Sequence, residues 1–331
     1  MTKYQVVGIG NAVVDVITQS TDAFLDDMSI EKGIMQLIDQ DRCETLFDTM
    51  TTERMQTAGG SVANTIAGIG SLGLKTAFIG RVRDDELGQF YAKSMVDEGT
   101  DFVNAPVTDG DLPTSRCMIF VTPDGERSLN TYLGISTNLG PKDVPTDVAS
   151  NAAIMFLEGY LFDKDAGKEA FLQASRLTRA AGGKAGIAIS DPFCVDRHRA
   201  DFLRMIGDEL DFVMGNEAEL KSLFETDDLE DALAKTAAMC PLVVCTRSGD
   251  GVTIIRGSER VDVPVTTVVP VDATGAGDQF AAGFIFGMAT ERDLETCGRM
   301  GNICAAEVIS HIGPRPEQDM MTLFKTAGLV D

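Results

Sequence analysis

The sequence predicts an α/β protein: a doubly wound, mostly parallel sheet flanked by helices, with a small β-sheet lid beside it. Three features carry that expectation. From about Ile154 onward, short apolar runs alternate with amphipathic stretches, which is the rhythm of successive βα units. Earlier in the chain, strand-like pieces around a Pro-Asp-Gly turn interrupt that rhythm, and the last third becomes helical. The 331 residues, 44% of them hydrophobic, are enough for one large core. The whole of 1–331 is therefore read as a single domain, with lid strands inserted from about 13–40 and 113–135.

In chain order, Gln5-Val6-Val7-Gly8-Ile9 is strand-like, and Asp15 to Gln19 and Gly33 to Ile38 are β-like. Arg116 to Val121 and Arg127 to Leu133 flank Thr122-Pro123-Asp124-Gly125-Glu126, whose proline and glycine set a turn. These four pieces are read as the lid; an antiparallel extension of the main sheet is the alternative. Ile154–Leu157, Ala185–Ile189, Asp211–Met214 and Leu242–Cys245 are apolar on both faces, as buried parallel strands are. Ala166 to Ala180 and Asn216 to Phe224 read as the intervening helices, and Gly277 to Ala289, Leu294 to Ser310 and a short terminal helix follow. Ligands of such sheets bind beyond the carboxyl ends of the strands.

The formal charge of −23, from 51 acidic and 28 basic residues, repels nucleic acid and anionic membrane, so neither is expected as a partner. An anionic ligand must be held locally, by backbone amides, a few arginines or a metal ion. Seven scattered cysteines without CxxC spacing point to reduced thiols and a cytoplasmic location. With only His198 and His311 present, a zinc site is not expected, and a divalent metal is expected to be Mg²⁺. The strand-like run starts at once after Met1-Thr2-Lys3-Tyr4, and no apolar stretch is long enough to span a bilayer, so neither a leader nor an anchor is expected.

Asp272-Ala273-Thr274-Gly275-Ala276-Gly277-Asp278 precedes the small, apolar run Gln279 to Phe284. It reads as a glycine turn opening into a buried helix, whose unpaired amides and dipole make an anion site. Gly275 and Gly277 let backbone approach the anion, and Asp278 sets a carboxylate beside it. An anion cradle with an adjacent base suggests phosphoryl transfer to a hydroxyl. The plain alternative is a tight turn with a capping aspartate. Gly8-Ile9-Gly10-Asn11-Ala12-Val13 begins like a dinucleotide fingerprint, but Val13 occupies the small-residue position and the chain continues as strand, so an NAD-linked oxidoreductase is disfavoured. Asp15, inside the apolar Val13 to Ile17 run, is either a solvent-facing strand residue or a ligand for hydroxyls.

The Asp272–Asp278 heptapeptide resembles the C-terminal signature of the ribokinase-like (PfkB) carbohydrate and nucleoside kinases. Gly59-Gly60-Ser61-Val62-Ala63-Asn64 resembles their second signature, in which Gly59 and Gly60 admit backbone near the sugar and Asn64 meets hydroxyls. Ser61 as a simple cap is the alternative. Gly10-Asn11-x-x-x-Asp15 is similar to the sugar-binding segment of adenosine kinases, which implies that Asn11 and Asp15 bind the sugar. Asn216-Glu217-Ala218-Glu219 resembles the Asn-x-x-Glu element that organises Mg²⁺ around the triphosphate through water; an ordinary capping box fits equally. Thr246 to Gly251 resembles the nucleotide-binding turn, with Ser248 where glycine is usual. Arg127 matches a lid arginine that reaches the transferred phosphate; a solvated strand-end arginine is the alternative. Asn302 matches the adenine-pocket lining. The Ile312-Gly313 turn, with Asp272, matches a monovalent-cation (K⁺) loop.

The resemblance thus implies ATP and Mg²⁺, with K⁺ at that loop, a nucleoside or sugar substrate, and a homodimer paired through lids as one assembly the family uses. The expected chemistry is in-line attack of a sugar hydroxyl on the γ-phosphoryl group. Asp278 takes the proton, and the amides at Gly275, Ala276 and Gly277 stabilise the charge. Its place at a helix N-terminus predicts a lowered pKa for Asp278. The Asn11/Asp15 spacing favours an adenosine-like nucleoside, with Val13 and Tyr160-Leu161-Phe162 as walls for its base. A ribokinase- or fructokinase-type sugar kinase is the alternative, and a non-catalytic sugar or nucleotide sensor a further one.

Overall fold

The computed structural model describes residues 3–50, 54–265 and 267–330. Its strands are β1 (Tyr4–Ile9), β2 (Val13–Gln19), β3 (Met35–Leu37), β4 (Met55–Gly59), β5 (Thr76–Ile79), β6 (Thr100–Phe102), β7 (Ser115–Val121), β8 (Arg127–Tyr132), β9 (Ala152–Glu158), β10 (Lys184–Ala188), β11 (Phe212–Asn216), β12 (Leu242–Thr246), β13 (Val252–Arg256) and β14 (Glu259–Val263). Nine form one sheet in the order β14-β13-β12-β11-β10-β9-β1-β5-β6. Every pair from β12 to β6 is parallel, and β13 and β14 add an antiparallel edge.

The four lid pieces are not an edge of that sheet. They form a second sheet of order β3-β8-β7-β2-β4, joined by β4, a strand the sequence reading did not name. Val14 and Val16 on one face of β2 belong to the large core shared with the main sheet, while Val13 and Ile17 on the other pack with Cys117 and Ile119. Asp15 therefore shares its face with Val13 and Ile17, because strand side chains alternate.

The main sheet is apolar on both faces. Val6, Phe78, Phe156 and Val244 point to one core and Val7, Met155, Ile187 and Val243 to the other, all essentially without exposure. Helices Ser61–Ser71 and Ala276–Ala289 cover the first face; Asp165–Ala180 and Pro192–Glu209 cover the second. From β1 the chain builds outward through β5 and β6, then returns to β9 and builds the other way, so the order reverses between β1 and β9. Such a switch point leaves a crevice beyond the strand ends. All seven cysteines are buried and unpaired. Among the described residues no helix is long and apolar enough to cross a membrane.

Candidate active site

Two of the helices that open into that crevice begin on glycine rather than on a side-chain cap. Elsewhere Asp85, Asp191, Asn216 and Asp293 cap helices through their side chains. Gly60, before Ser61–Ser71, has φ +105° and would place a Cβ 2.2 Å from the Asn11 carbonyl oxygen. Gly275, before Ala276–Ala289, has φ +78° and would place one 2.7 Å from Pro314 Cα. Only glycine fits either position without strain. The amides of Gly275 and Gly277 have no acceptor among the described residues, as an anion cradle requires. The Ala276 amide is different: it donates to the Ala273 carbonyl at 3.2 Å and is unavailable, which corrects the expectation of three consecutive donors.

Asp278 stands in the first turn of the second helix and lines the crevice. Its carboxylate accepts hydrogen bonds from Ser61 Oγ at 2.6 Å and Asn64 Nδ2 at 2.9 Å, and Thr65 Oγ1 donates to its carbonyl at 3.0 Å. Ser61 is thus not a cap; its hydroxyl orients the candidate base. The expectation of a lowered pKa is reversed. Burial pushes the Asp278 carboxyl above its ordinary value, and the bonds from Ser61 and Asn64 with the charge of Arg315 offset only part of that. A raised carboxyl is a better proton acceptor than the dipole argument allowed.

Across the crevice, Asp15 has no hydrogen-bond donor among the described residues. Burial raises it to about 7, opposed by Arg127 and Arg315 and reinforced by Asp278. A Cβ on Gly59 would sit 2.6 Å from its Oδ2, so glycine at that position makes room for the carboxylate. Asn11 is turned inward. Its Nδ2 donates to Glu158 Oε1 at 2.7 Å and its Oδ1 accepts from Ser136 Oγ at 2.9 Å. Glu158, which the sequence reading did not single out, also accepts from the amides of Asn11 at 3.2 Å and Val62 at 3.1 Å. It ties the end of β9 to the end of β1 and to the mouth of the Ser61–Ser71 helix. Burial raises it to about 7 despite those donors. Arg315, also unanticipated, donates to the Ala58 carbonyl at 2.7 Å.

Arg127 opens β8 from a buried position. Its Nη1 pairs with Asp272 and lies 3.3 Å from Thr274 Oγ1, whereas its Nε and Nη2 are buried without a partner. Asp272 also accepts from the Thr274 amide and hydroxyl and from the Gly313 amide. Burial works to raise its carboxyl, but these donors and Arg127 hold it below the usual value.

The far side of the crevice is built from strand ends. Ser190, just past β10, and Asn216 and Thr246, the last residues of β11 and β12, line it. Asn216 and Glu219 form a reciprocal capping box, with Glu219 Oε1 2.7 Å from Asn216 Nδ2 and Oε2 2.9 Å from its amide. Burial raises Glu219 to about 7. Ser248 adopts φ +50°, a conformation that favours glycine, and Gly251 has φ +92° with the Val263 carbonyl 2.1 Å from any Cβ. The turn keeps its shape at Ser248 at a strain cost. Asn302 donates to the Pro264 carbonyl at 3.0 Å and lines a hollow between β14 and the Leu294–Val308 helix. One expectation fails here. Leu161 and Phe162 are core residues, Phe162 stacking on Phe202 at 4.2 Å, so neither walls a ligand.

Residues 37–320 match the family model described as pfkB family carbohydrate kinase. A crystal structure of a probable sugar kinase from Rhizobium etli is 43% identical, covers all of both chains and superposes with a TM-score of 0.91. The adenosine kinase from Sinorhizobium meliloti is likewise 43% identical, over 98% of this chain and 99% of that one, with a TM-score of 0.90. An uncharacterized sugar kinase of Archaeoglobus fulgidus is 31% identical over 75% of this chain and 96% of its own length. A buried carboxylate at the mouth of a glycine-initiated helix fits what the comparisons show: the chain belongs to the pfkB family and is a carbohydrate or nucleoside kinase.

Proposed function

We propose that this kinase transfers the γ-phosphoryl group of ATP to the hydroxymethyl of an adenosine-like nucleoside. The observation that carries the reaction is Asp278, held by Ser61 and Asn64 beside the open amides of Gly275 and Gly277. Its carboxylate takes the hydroxyl proton while the amides accept the charge of the transferring group, with alignment supplying most of the rate. Arg127 has two unpartnered donors to offer the same group. Mg²⁺ supplies charge neutralisation to the triphosphate when bound. Both Glu219 oxygens are engaged by Asn216, so this carboxylate fits only a contact through water. Among the described residues no group of three acidic, His or Cys side chains forms a metal cage, which leaves the ion to phosphate oxygens and water.

What favours a nucleoside is the setting of Asp15. Its carboxylate has no donor among the described residues, as a partner for two sugar hydroxyls requires, and its strand face is otherwise apolar, with Val13, Ile17 and Cys117 packed beside it, a setting that suits a base more than the further hydroxyls of a free sugar. A free-sugar kinase is the second reading, favoured by the two sugar-kinase relatives. Calorimetric titration with adenosine, ribose and fructose separates them: heat from adenosine is expected, and a flat response to it beside binding of a free sugar sinks the nucleoside reading. Asp278→Asn is expected to lower kcat by about 10²–10⁴ with nucleotide affinity retained. Equal loss of both would make the aspartate structural.

A further inference from the structure

We propose that the guanidinium of Arg127 occupies the seat a monovalent cation takes in the resemblance, so that phosphoryl transfer by this chain needs no K⁺. Asp272 is the carboxylate such a cation would meet, and it is saturated. Its Oδ2 accepts from Arg127 Nη1 and from the Gly313 amide at 3.0 Å; its Oδ1 accepts from the Thr274 amide at 3.0 Å and the Thr274 hydroxyl at 2.6 Å. A carboxylate has about four lone-pair sites, and four donors point at this one.

The turn at Gly313 argues the same way. A cation loop offers carbonyl oxygens, but Gly313 turns its N–H toward Asp272. The pair is closed off from water, with side-chain exposures of 8% for Arg127 and 9% for Asp272. A second positive charge there would be repelled by the first with little screening. Thr274 completes the arrangement, accepting from Arg127 while donating to Asp272. The positive charge that shapes the loop before Gly275 is therefore a side chain of β8. The loop and the second sheet are organised together, by one residue.

The test compares the protein in potassium chloride and in tetramethylammonium chloride at equal ionic strength. It rests on the kinase reading only in its turnover arm; melting needs no substrate, so failure of one reading is distinguishable from failure of the other. Wild-type turnover is expected to be equal in the two salts, whereas coupling between sites typically amounts to about 5–150-fold, and activation of about fivefold or more by K⁺ overturns the proposal. Wild-type melting temperature should be the same in both salts. Arg127→Gln, which uncovers Asp272, should melt about 2 °C or more higher in potassium chloride. A K⁺-dependent rise in the wild type, or none in the variant, each overturns the assignment. Arg127→Met serves in the melting arm if the glutamine variant does not fold, and the wild-type comparison decides by itself whether K⁺ is needed.

Discussion

Glu158 ends β9 with a carboxylate that meets three N–H donors and almost no solvent. Because burial raises its folded pKa to about 7 from 4.5, the folded state holds its proton over a range where the unfolded chain has lost it. Stability from this group is fully present below the unfolded value and is lost as pH rises through the folded one, by at most about 3 kcal/mol. Asp15 and Glu219, also raised to about 7 by burial, add to the fall with the same sign. Urea unfolding between pH 5 and pH 8 is expected to show declining stability. Glu158→Gln should show a shallower decline, from a lower start because its amide faces the Val62 amide at a cost of about 1–3 kcal/mol. Parallel declines would remove Glu158 from this account. The residues that were legible in sequence, Asp278, Asn64 and Asp15, are polar groups standing where local pattern wants apolar or cap residues. Glu158 was not legible, because its partners lie 147 and 96 positions away and no local pattern marks such a carboxylate. Arg315 was hidden for the same reason: its acceptor, Ala58, is 257 positions away.

The two glycines of the Ala276–Ala289 helix mouth separate space from conformation. Gly275 needs its left-handed φ and has Pro314 against it; Gly277 has ordinary helical geometry and nothing within 4 Å of an added Cβ. Gly275→Ala is therefore expected to cost about 1–3 kcal/mol of stability along with activity. Gly277→Ala should leave the melting temperature within a degree or so, since no mechanism of destabilisation applies. If the anion sits against that mouth, the same methyl group should cut turnover sharply. Melting curves and kcat for the pair test this, and full activity in Gly277→Ala would move the phosphate elsewhere. At this scale β1, the buried parallel strands β9 to β12 and both C-terminal helices were readable from apolar runs and periodicity, to within a residue or two. Five strands were not, the short β5 and β6 among them. β4, Met-Gln-Thr-Ala-Gly, is an edge strand without clear alternation, and its identity comes from pairing with β2. β13 and β14 did leave a signal: Gly257-Ser258 joins two alternating runs, the mark of a two-residue hairpin.

The two sheets meet at the switch point of the larger one, and polar side chains do much of the joining there. Asn11 holds Ser136 and Glu158 where β1 and β9 diverge, and Arg127 carries β8 onto the loop at Asp272. Both Asp15 on the second sheet and Asp278 on the helix mouth sense the charge of Arg315, so the acceptor hydroxyls that the proposed function gives to the first carboxylate would lie within the field that tunes the second. On the proposed function this arrangement makes the second sheet a cover as well as a binding surface: it carries Asp15 and Arg127, while the proposed nucleotide side is built on β10 to β12. Loading both sides should therefore quieten one sheet far more than the other. With a nucleoside and a non-hydrolysable ATP analogue bound, amide exchange in β2, β7 and β8 is expected to slow by about tenfold or more, equivalent to about 1.4 kcal/mol of added protection. Exchange in β9 to β11, buried on both faces, should change little, because those strands open only with the whole fold. Either substrate alone should give a smaller effect, since closure draws on contacts from both. Uniform slowing across both sheets would mean that ligands stabilise the molecule as one body, and the second sheet would then be a fixed wall of the crevice rather than its lid.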